Sequence, residues 1–209
     1  MINAKCKICR RLGTKLFLKG DKCLSPKCIM VKKPYPSGQN KRRKRRSVSE
    51  YGKELKEKQK LKNWYNLGEK QFRKYVKEIL EKRGKAEDAG NLLIKRLESR
   101  LDNIVFRLGF VSSRVQARQI VNHGHFLVNN RKVDIPSCQI KKGDTVTLHP
   151  SSRQKTIFQN LSSTLKKYKP PSWIELNIEK LEGKIIGEPS IEEAAPPVEI
   201  SAIFEFYSR

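Results

Sequence analysis

Acidic residues are scarce in this sequence. Of its 209 residues, 21 are Asp or Glu and 46 are Lys or Arg, which gives a formal net charge of +25. Self-repulsion of this size disfavours a compact state unless a polyanion neutralises it. The composition therefore predicts a nucleic-acid partner, and an anionic membrane surface is the alternative.

Long apolar runs are also missing. No stretch approaches the length of about 20 apolar residues that a membrane-spanning helix needs. The opening residues, MINAKCKICRR, lack the apolar core of a secretory signal. We therefore expect no membrane insertion and a cytosolic location, where disulfides are rare.

The positive charge is concentrated toward the start of the chain. Residues 1–50 hold 16 basic and 2 acidic side chains, and residues 51–160 hold 24 and 11. Residues 161–209 hold only 6 basic and 8 acidic side chains. The low net charge of the last segment therefore predicts that it packs against the rest of the protein and makes few contacts with phosphate.

Four of the five cysteines lie near the start, in the pattern C-x2-C-x13-C-x4-C. Two close pairs separated by about a dozen residues are typical of a zinc site with four thiolate ligands. The segment has few apolar residues, so we expect it to depend on a metal for folding. An iron–sulfur cluster is the alternative, although nothing else in the chain indicates electron transfer. The predicted ligands of one zinc ion are Cys6, Cys9, Cys23 and Cys28.

The middle of the chain predicts helices. Ser47 or Ser49 can cap a helix that runs to about Trp64. The next helix has an amphipathic stripe with the spacing i, i+4, i+7 and i+8. That stripe comprises Phe72, Val76, Ile79 and Leu80.

Residues 97–148 predict a compact module of two helices and short strands. The first helix starts at Leu97 and ends at Gly109, and the second ends at Gly124. The pattern then alternates as strands do, and Asn129-Asn130 predicts a tight turn because Asn tolerates positive φ. Near the end of the chain, IFEFY is interpreted as a further strand.

The stretch SRVQARQIVNHGHFLVNNRKVDIPSCQIKKGD resembles the S-four RNA-binding domain. That family has S-R-x-x-A-R on a helix, then G-x-[hydrophobic]-x-V-N and a K-x-G-D turn. Asn130 stands where members usually have Gly, and Asn can adopt the same turn. The chain as a whole resembles the bacterial small-subunit ribosomal protein S-four family over nearly its full length. Besides the stretch above, the segments that carry this resemblance are PYPSGQ, YGKELKEKQKLK, ESRLDNIVFRLGF and EFYSR. One departure is that only MINAK precedes the first cysteine, where many members carry a short arm.

The resemblance implies a non-enzymatic, structural constituent of the small ribosomal subunit. Its implied partners are the 5′ domain of small-subunit rRNA and neighbouring ribosomal proteins, with the messenger entry region nearby and no small-molecule substrate. It also implies nucleation of subunit assembly and a contribution to translational accuracy. The implied location is the cytoplasmic ribosome, and an organellar ribosome is the alternative.

The predicted rRNA contacts are basic or polar side chains in two regions. Arg114 and Arg118 stand one helical turn apart beside a buried stripe, where both could reach one RNA strand. The full set in the module is Arg114, Arg118, His123, His125, Asn129, Arg131 and Lys132. The set in the N-terminal part is Arg10, Arg11, Lys15, Lys19, Lys22, Lys32, Lys33, Arg42, Arg43, Lys44, Arg45 and Arg46.

The alternative function is an RNA-binding factor, or the RNA-binding appendage of an RNA-modifying enzyme. The residues after the module contain no helical carboxylate pair, nucleotide-binding loop or nucleophile–base pair. We therefore predict that the protein is not an enzyme.

The predicted fold class is α+β. The expected parts are a basic zinc-binding lobe at 1–46, a helical part at 47–96 and the S-four-type domain at 97–160, with two helices on a small bent antiparallel sheet. A C-terminal segment at 161–209 is expected to return to the helical part.

Overall fold

The computed structural model describes residues 4–38, 48–81 and 89–208. The helices in these ranges are α1 (Ala4–Leu12), α2 (Asp21–Leu24), α3 (Ile29–Lys32), α4 (Glu50–Trp64), α5 (Glu69–Glu81), α6 (Ala89–Glu98), α7 (Leu101–Arg107), α8 (Arg114–Asn122), α9 (Leu161–Leu165), α10 (Ile191–Ala194) and α11 (Ile200–Ser208). The strands are β1 (Phe126–Val128), β2 (Arg131–Lys132), β3 (Thr145–Leu148), β4 (Ile174–Asn177) and β5 (Glu182–Ile185).

The chain divides into two compact units. The first combines Met1–Gly90 with Pro196–Arg209, and the second is Asn91–Ala195. The segment 161–209, which we expected to return as a whole to the helical part, is therefore shared between the two units. The mixture of helices with a small antiparallel sheet confirms the α+β class.

In the first unit, α4 and α5 form the base on which other elements pack. The Ser49 hydroxyl accepts a hydrogen bond from the Gly52 N–H at 3.3 Å, which caps the start of α4. On α5 the buried side chains follow the predicted amphipathic stripe, with Tyr75 added and Leu80 only half-buried. Helix α1 contacts α3 and α4, and its residues Cys9 and Leu12 form a small separate core with Leu16 and Leu18 of the following loop.

The C-terminal end of the first unit is the helix α11, which contacts α4 and α5. The interpretation of IFEFY as a strand is therefore wrong. Over a longer window the apolar residues Ile200, Ile203, Phe204 and Tyr207 recur at i, i+3, i+4 and i+7, which is a helical stripe. Ile203 and Phe204 are buried, so this stripe supplies the packing energy that decides the conformation.

The second unit is built on a five-stranded antiparallel sheet with the order β2-β1-β3-β5-β4. Asn129 and Asn130 make the turn between β1 and β2 with φ of 48° and 64°, which confirms the predicted tight turn. Pairing of β5 with β3 satisfies backbone groups that would otherwise form an open edge. This pairing explains why residues 174–185 join the second unit.

Helices α7 and α8 contact each other and share one apolar core with the sheet. The first helix of the module begins at Leu101, and not at Leu97 as predicted, because the chain leaves the helix at Ser99 and Arg100. There Arg100 forms a β-bridge with Gln139, and the Leu101 N–H donates to the Cys138 carbonyl at 2.9 Å. Tertiary hydrogen bonds thus override a continuous apolar pattern.

Across the described ranges, no helix combines the length and the apolar character that crossing a membrane requires.

Candidate nucleic-acid interface and cysteine cavity

The four N-terminal cysteines line one small cavity in the first unit. Cys6 and Cys9 lie on α1, Cys23 lies on α2, and Cys28 is the residue before α3. The cavity measures about 20 Å³, close to the space that one water molecule occupies. Three separate helices thus bring the predicted ligands to a volume of atomic size.

The electrostatics of the cavity depend on burial. Burial raises the pKa of the Cys9 thiol, a backbone hydrogen bond from Leu16 opposes this, and the other three cysteines raise the pKa further. Burial also raises the pKa of Cys23, opposed by a backbone hydrogen bond from Lys19. These thiols therefore stay protonated at neutral pH unless a cation stabilises the thiolate form, which makes them poor nucleophiles.

The cavity alone does not form a complete coordination shell. Within residues 4–38, 48–81 and 89–208, no group of three or more His, Cys, Asp or Glu side chains is arranged to hold a metal ion. All five cysteines are free thiols, and Cys138 is half-buried. Four thiols are a donor set typical of zinc, so the cysteines fit this metal by their chemistry, and the zinc site stays a prediction.

Of the N-terminal cations predicted to contact rRNA, four are exposed and two are half-buried. The exposed side chains are Arg11, Lys22, Lys32 and Lys33, and the half-buried ones are Lys15 and Lys19. Arg42, Arg43, Lys44, Arg45 and Arg46 lie outside the described residues.

Arg10 differs from these cations because it is buried, with 3% of its surface exposed. Its Nε donates to the Tyr35 carbonyl oxygen at 2.6 Å, and its guanidinium lies 5.0 Å from the centre of the Tyr35 ring. The predicted role of Arg10 as an rRNA contact is therefore corrected to that of a tie between α1 and the loop around Tyr35.

Arg114 lies in the interior of the second unit, and not on the phosphate-facing surface that we predicted. Its Nε donates to Asn103 Oδ1 at 2.8 Å, and its guanidinium lies 4.5 Å from the Phe106 ring centre. Its Nη2 is 3.9 Å from the fully buried Glu98 carboxylate, which Arg107 holds with two bonds of 2.7 and 2.9 Å. Arg114 therefore belongs to a buried polar network that joins α6, α7 and α8.

Arg118 and Asn129 are partly occupied by contacts inside the second unit. Burial raises the pKa of Asp102, and the charges of Arg100 and Arg118 oppose that rise, so half-buried Arg118 lies close to this carboxyl group. The exposed Asn129 amide donates to Asp144 at 2.8 Å and accepts from the Thr145 N–H at 2.9 Å. The Asn129 side chain thus holds the tight turn against β3.

The two predicted histidines have opposite surroundings. His123 is exposed, whereas His125 is buried, and its Nδ1 lies 2.9 Å from the Ser152 hydroxyl. Burial lowers the pKa of His125, and the nearby charges of Lys155 and His123 lower it further, so the ring stays neutral at pH 7. His125 is therefore corrected from an RNA contact to an interior residue. Arg131 and Lys132 are exposed, and their role as rRNA contacts stays a prediction.

No sequence motif indicated the buried Glu98 network or the basic side chains of His149 and Lys155. Glu98 is fully buried, although the surrounding sequence reads as an ordinary amphipathic helix. One sequence signal for Glu98 is the position of two possible donors on the following helix. Asn103 lies five residues after Glu98 and Arg107 lies nine residues after it, and both donate to its carboxylate.

These observations define a class: a strongly cationic α+β protein whose exposed basic side chains suit a polyanionic partner. Comparison with known proteins is more specific. Residues 1–98 match the family described as "Ribosomal protein S4/S9 N-terminal domain", and residues 99–146 match the "S4 domain".

Curated relatives extend over the whole chain. The "Small ribosomal subunit protein uS4" of Thermus thermophilus is 43% identical over 208 residues, which covers 100% of this chain and 98% of the relative. Proteins with the same name from Natranaerobius thermophilus and Caldicellulosiruptor bescii are each 44% identical, covering 98% and 100% of this chain and 96% and 98% of the relatives. The chain therefore belongs to the uS4 family, which confirms the resemblance inferred from its motifs.

Proposed function

We propose that this protein is a structural constituent of the small ribosomal subunit and binds its rRNA directly. It has no catalytic role in this proposal. The observation that carries the proposal is the similarity to small-subunit proteins over the entire chain. The net charge of +25 supports it, because a folded RNA is a polyanion large enough to neutralise that charge.

The binding mechanism divides affinity from specificity. Exposed Lys and Arg side chains on both units contact phosphates and release counterions, which supplies affinity. The shape of a folded RNA junction supplies specificity, because proteins recognise double-stranded RNA mostly by shape. Linking two binding units in one chain raises the effective concentration of the second unit once the first is bound.

The direct test is binding of the full chain to a transcript of the 5′ domain of small-subunit rRNA. We expect tighter binding to this transcript than to a scrambled RNA of equal length, and a log affinity that falls linearly with log salt. Equal affinities for the two RNAs would contradict the proposal. They would favour the alternative of a general RNA-binding factor or an enzyme appendage.

We further propose the finer roles that the family resemblance implies. The protein binds early to the 5′ domain, nucleates assembly of the subunit and contacts neighbouring ribosomal proteins in the cytoplasm. Its position lies near the messenger entry region, from which it contributes to translational accuracy. Depletion of the protein should then cause small-subunit precursors to accumulate, and normal subunit levels would contradict the assembly role.

We also propose that Cys6, Cys9, Cys23 and Cys28 bind one zinc ion. The spacing of the cysteines and their shared cavity support this site. The zinc would neutralise four thiolates, of which those of Cys9, Cys23 and Cys28 are buried, and would fix the loops between the short helices, where only a few apolar residues pack.

Metal analysis of protein purified without added metal tests the zinc site. We expect one zinc per chain, and we expect Cys9→Ser to release the metal and loosen residues 1–38 while residues 91–195 stay folded. Cys138→Ser is the matched control and should retain the zinc. An ordered N-terminal region without zinc or iron would contradict the site.

A further inference from the structure

Three segments of the second unit meet where α8 ends, β1 begins and β3 ends. The His149 N–H donates to the His125 carbonyl at 2.9 Å, and the Ser152 N–H donates to the His149 carbonyl at 2.8 Å. The His125 ring then contacts the Ser152 hydroxyl at 2.9 Å. The Lys155 N–H donates to the Ser152 carbonyl at 3.1 Å, so Lys155 is held on the same small scaffold.

Four basic residues lie near this scaffold. Burial is the main cause that lowers the pKa of His125, and Lys155, His123, Lys132 and His149 lower it further, which places these residues near its ring. The His123 and His125 ring centres are 6.0 Å apart. Lysine ammonium groups that are held near one another repel, and an anion that binds between them removes this repulsion.

Local geometry directs two of these groups. Gly124 has φ of +69°, and a Cβ there would lie 2.5 Å from Lys132 Cε, so the missing side chain lets the Lys132 stem cross the end of α8. At His149, Nδ1 accepts from the Ser151 N–H at 3.3 Å. A ring whose Nδ1 accepts this bond presents Nε2 as its N–H donor.

We propose that His123, Lys132, His149 and Lys155 form one phosphate-binding cluster for the RNA backbone, with His125 as the residue that positions it. The inference rests on the proposed rRNA binding and adds His149 and Lys155, which the motifs did not indicate. Ammonium groups and imidazole N–H groups donate to phosphate oxygens. The cluster positions the RNA strand and reads no base.

Salt titration of binding to the 5′-domain transcript tests the cluster. Lys155→Ala removes one phosphate contact, so the slope of log affinity against log salt should shrink by about one unit. Between 50 and 200 mM salt the variant should then lose roughly fourfold less affinity than the wild type. Lys155→Arg should restore the slope, and circular dichroism checks that each variant is folded.

Double variants separate a shared site from scattered charges. Lys132→Ala and Lys155→Ala should be non-additive, because groups that share phosphates are energetically coupled. Lys142 is an exposed lysine before β3, at the end of that strand opposite His149, so Lys142→Ala and Lys155→Ala should be additive. An unchanged slope for Lys155→Ala, or additive effects of Lys132→Ala and Lys155→Ala, would overturn the cluster but not the proposed function. A wild-type protein that does not prefer the transcript over scrambled RNA would overturn both.

Discussion

Replacing Arg114 by Ala distinguishes an interior role from an RNA contact. The side chain is 8% exposed, and its charged donor bonds Asn103 at 2.8 Å. Hydrogen bonds of charged groups contribute about 1.5–3 kcal/mol, and a guanidinium over an aromatic ring adds about 0.5–2 kcal/mol. We therefore expect Arg114→Ala to reduce the free energy of unfolding by about 2–5 kcal/mol, which lowers Tm by roughly 4–20 °C in a chain of this size.

The same variant should leave the salt dependence of RNA binding unchanged, because Arg114 is turned away from solvent. Lys132→Ala is the reciprocal control, since Lys132 is exposed. It should leave Tm nearly constant and reduce the salt slope by about one unit. The measurements are thermal unfolding by circular dichroism and salt titrations of binding on the same preparations. A stable Arg114→Ala protein with a reduced slope would refute our reasoning about the network.

Two further predictions concern stability. Burial acts to raise the pKa of Glu69, but hydrogen bonds from Lys58 and Lys62 outweigh it and hold the pKa at about 2, below its usual 4.5. The stabilisation from this lowered pKa is complete above pH 4.5 and is lost as pH falls toward 2. In an acid titration, Glu69→Gln should therefore lose less stability than the wild type. Identical curves for the two proteins would contradict this prediction. In β5, a Cβ on Gly183 would lie 2.2 Å from the buried Leu108 side chain, so Gly183→Ala should destabilise by about 1–3 kcal/mol in urea unfolding. Gly68→Ala, with no atom within 4 Å of the added carbon, is the control, and equal stabilities of the two variants would contradict the overpacking.

Local patterns predicted the elements whose residues interact mainly with near neighbours. The Ser49 cap, the α5 stripe and the Asn129-Asn130 turn depend on side chains within a few positions of one another, and each is present. The chain break at Arg100 and the addition of β4 and β5 to the sheet depend on distant backbone groups. No periodicity in the sequence carries that information.

For the side chains of the candidate site, too, local sequence patterns predicted only part of what the structure shows. Charge and motif position indicated Lys132 and His123 as RNA contacts, and both side chains are exposed, as such a contact requires. They misplaced Arg114 and His125, because the sequence around an Arg or a His looks alike whether the side chain meets water or a buried partner. The partners of Arg114 lie at distant positions: Asn103, eleven residues earlier, accepts its hydrogen bond, and the fully buried Glu98 lies sixteen residues earlier.

The most direct test of the central claim is the copy number of this protein in purified small ribosomal subunits after a high-salt wash. Quantitative mass spectrometry against other subunit proteins gives that number. Our account predicts one copy per subunit, retained through the wash, because many phosphate contacts and a shaped RNA site act together. Loss of the protein in the wash, or far less than one copy per subunit, would contradict the claim that it is a structural constituent.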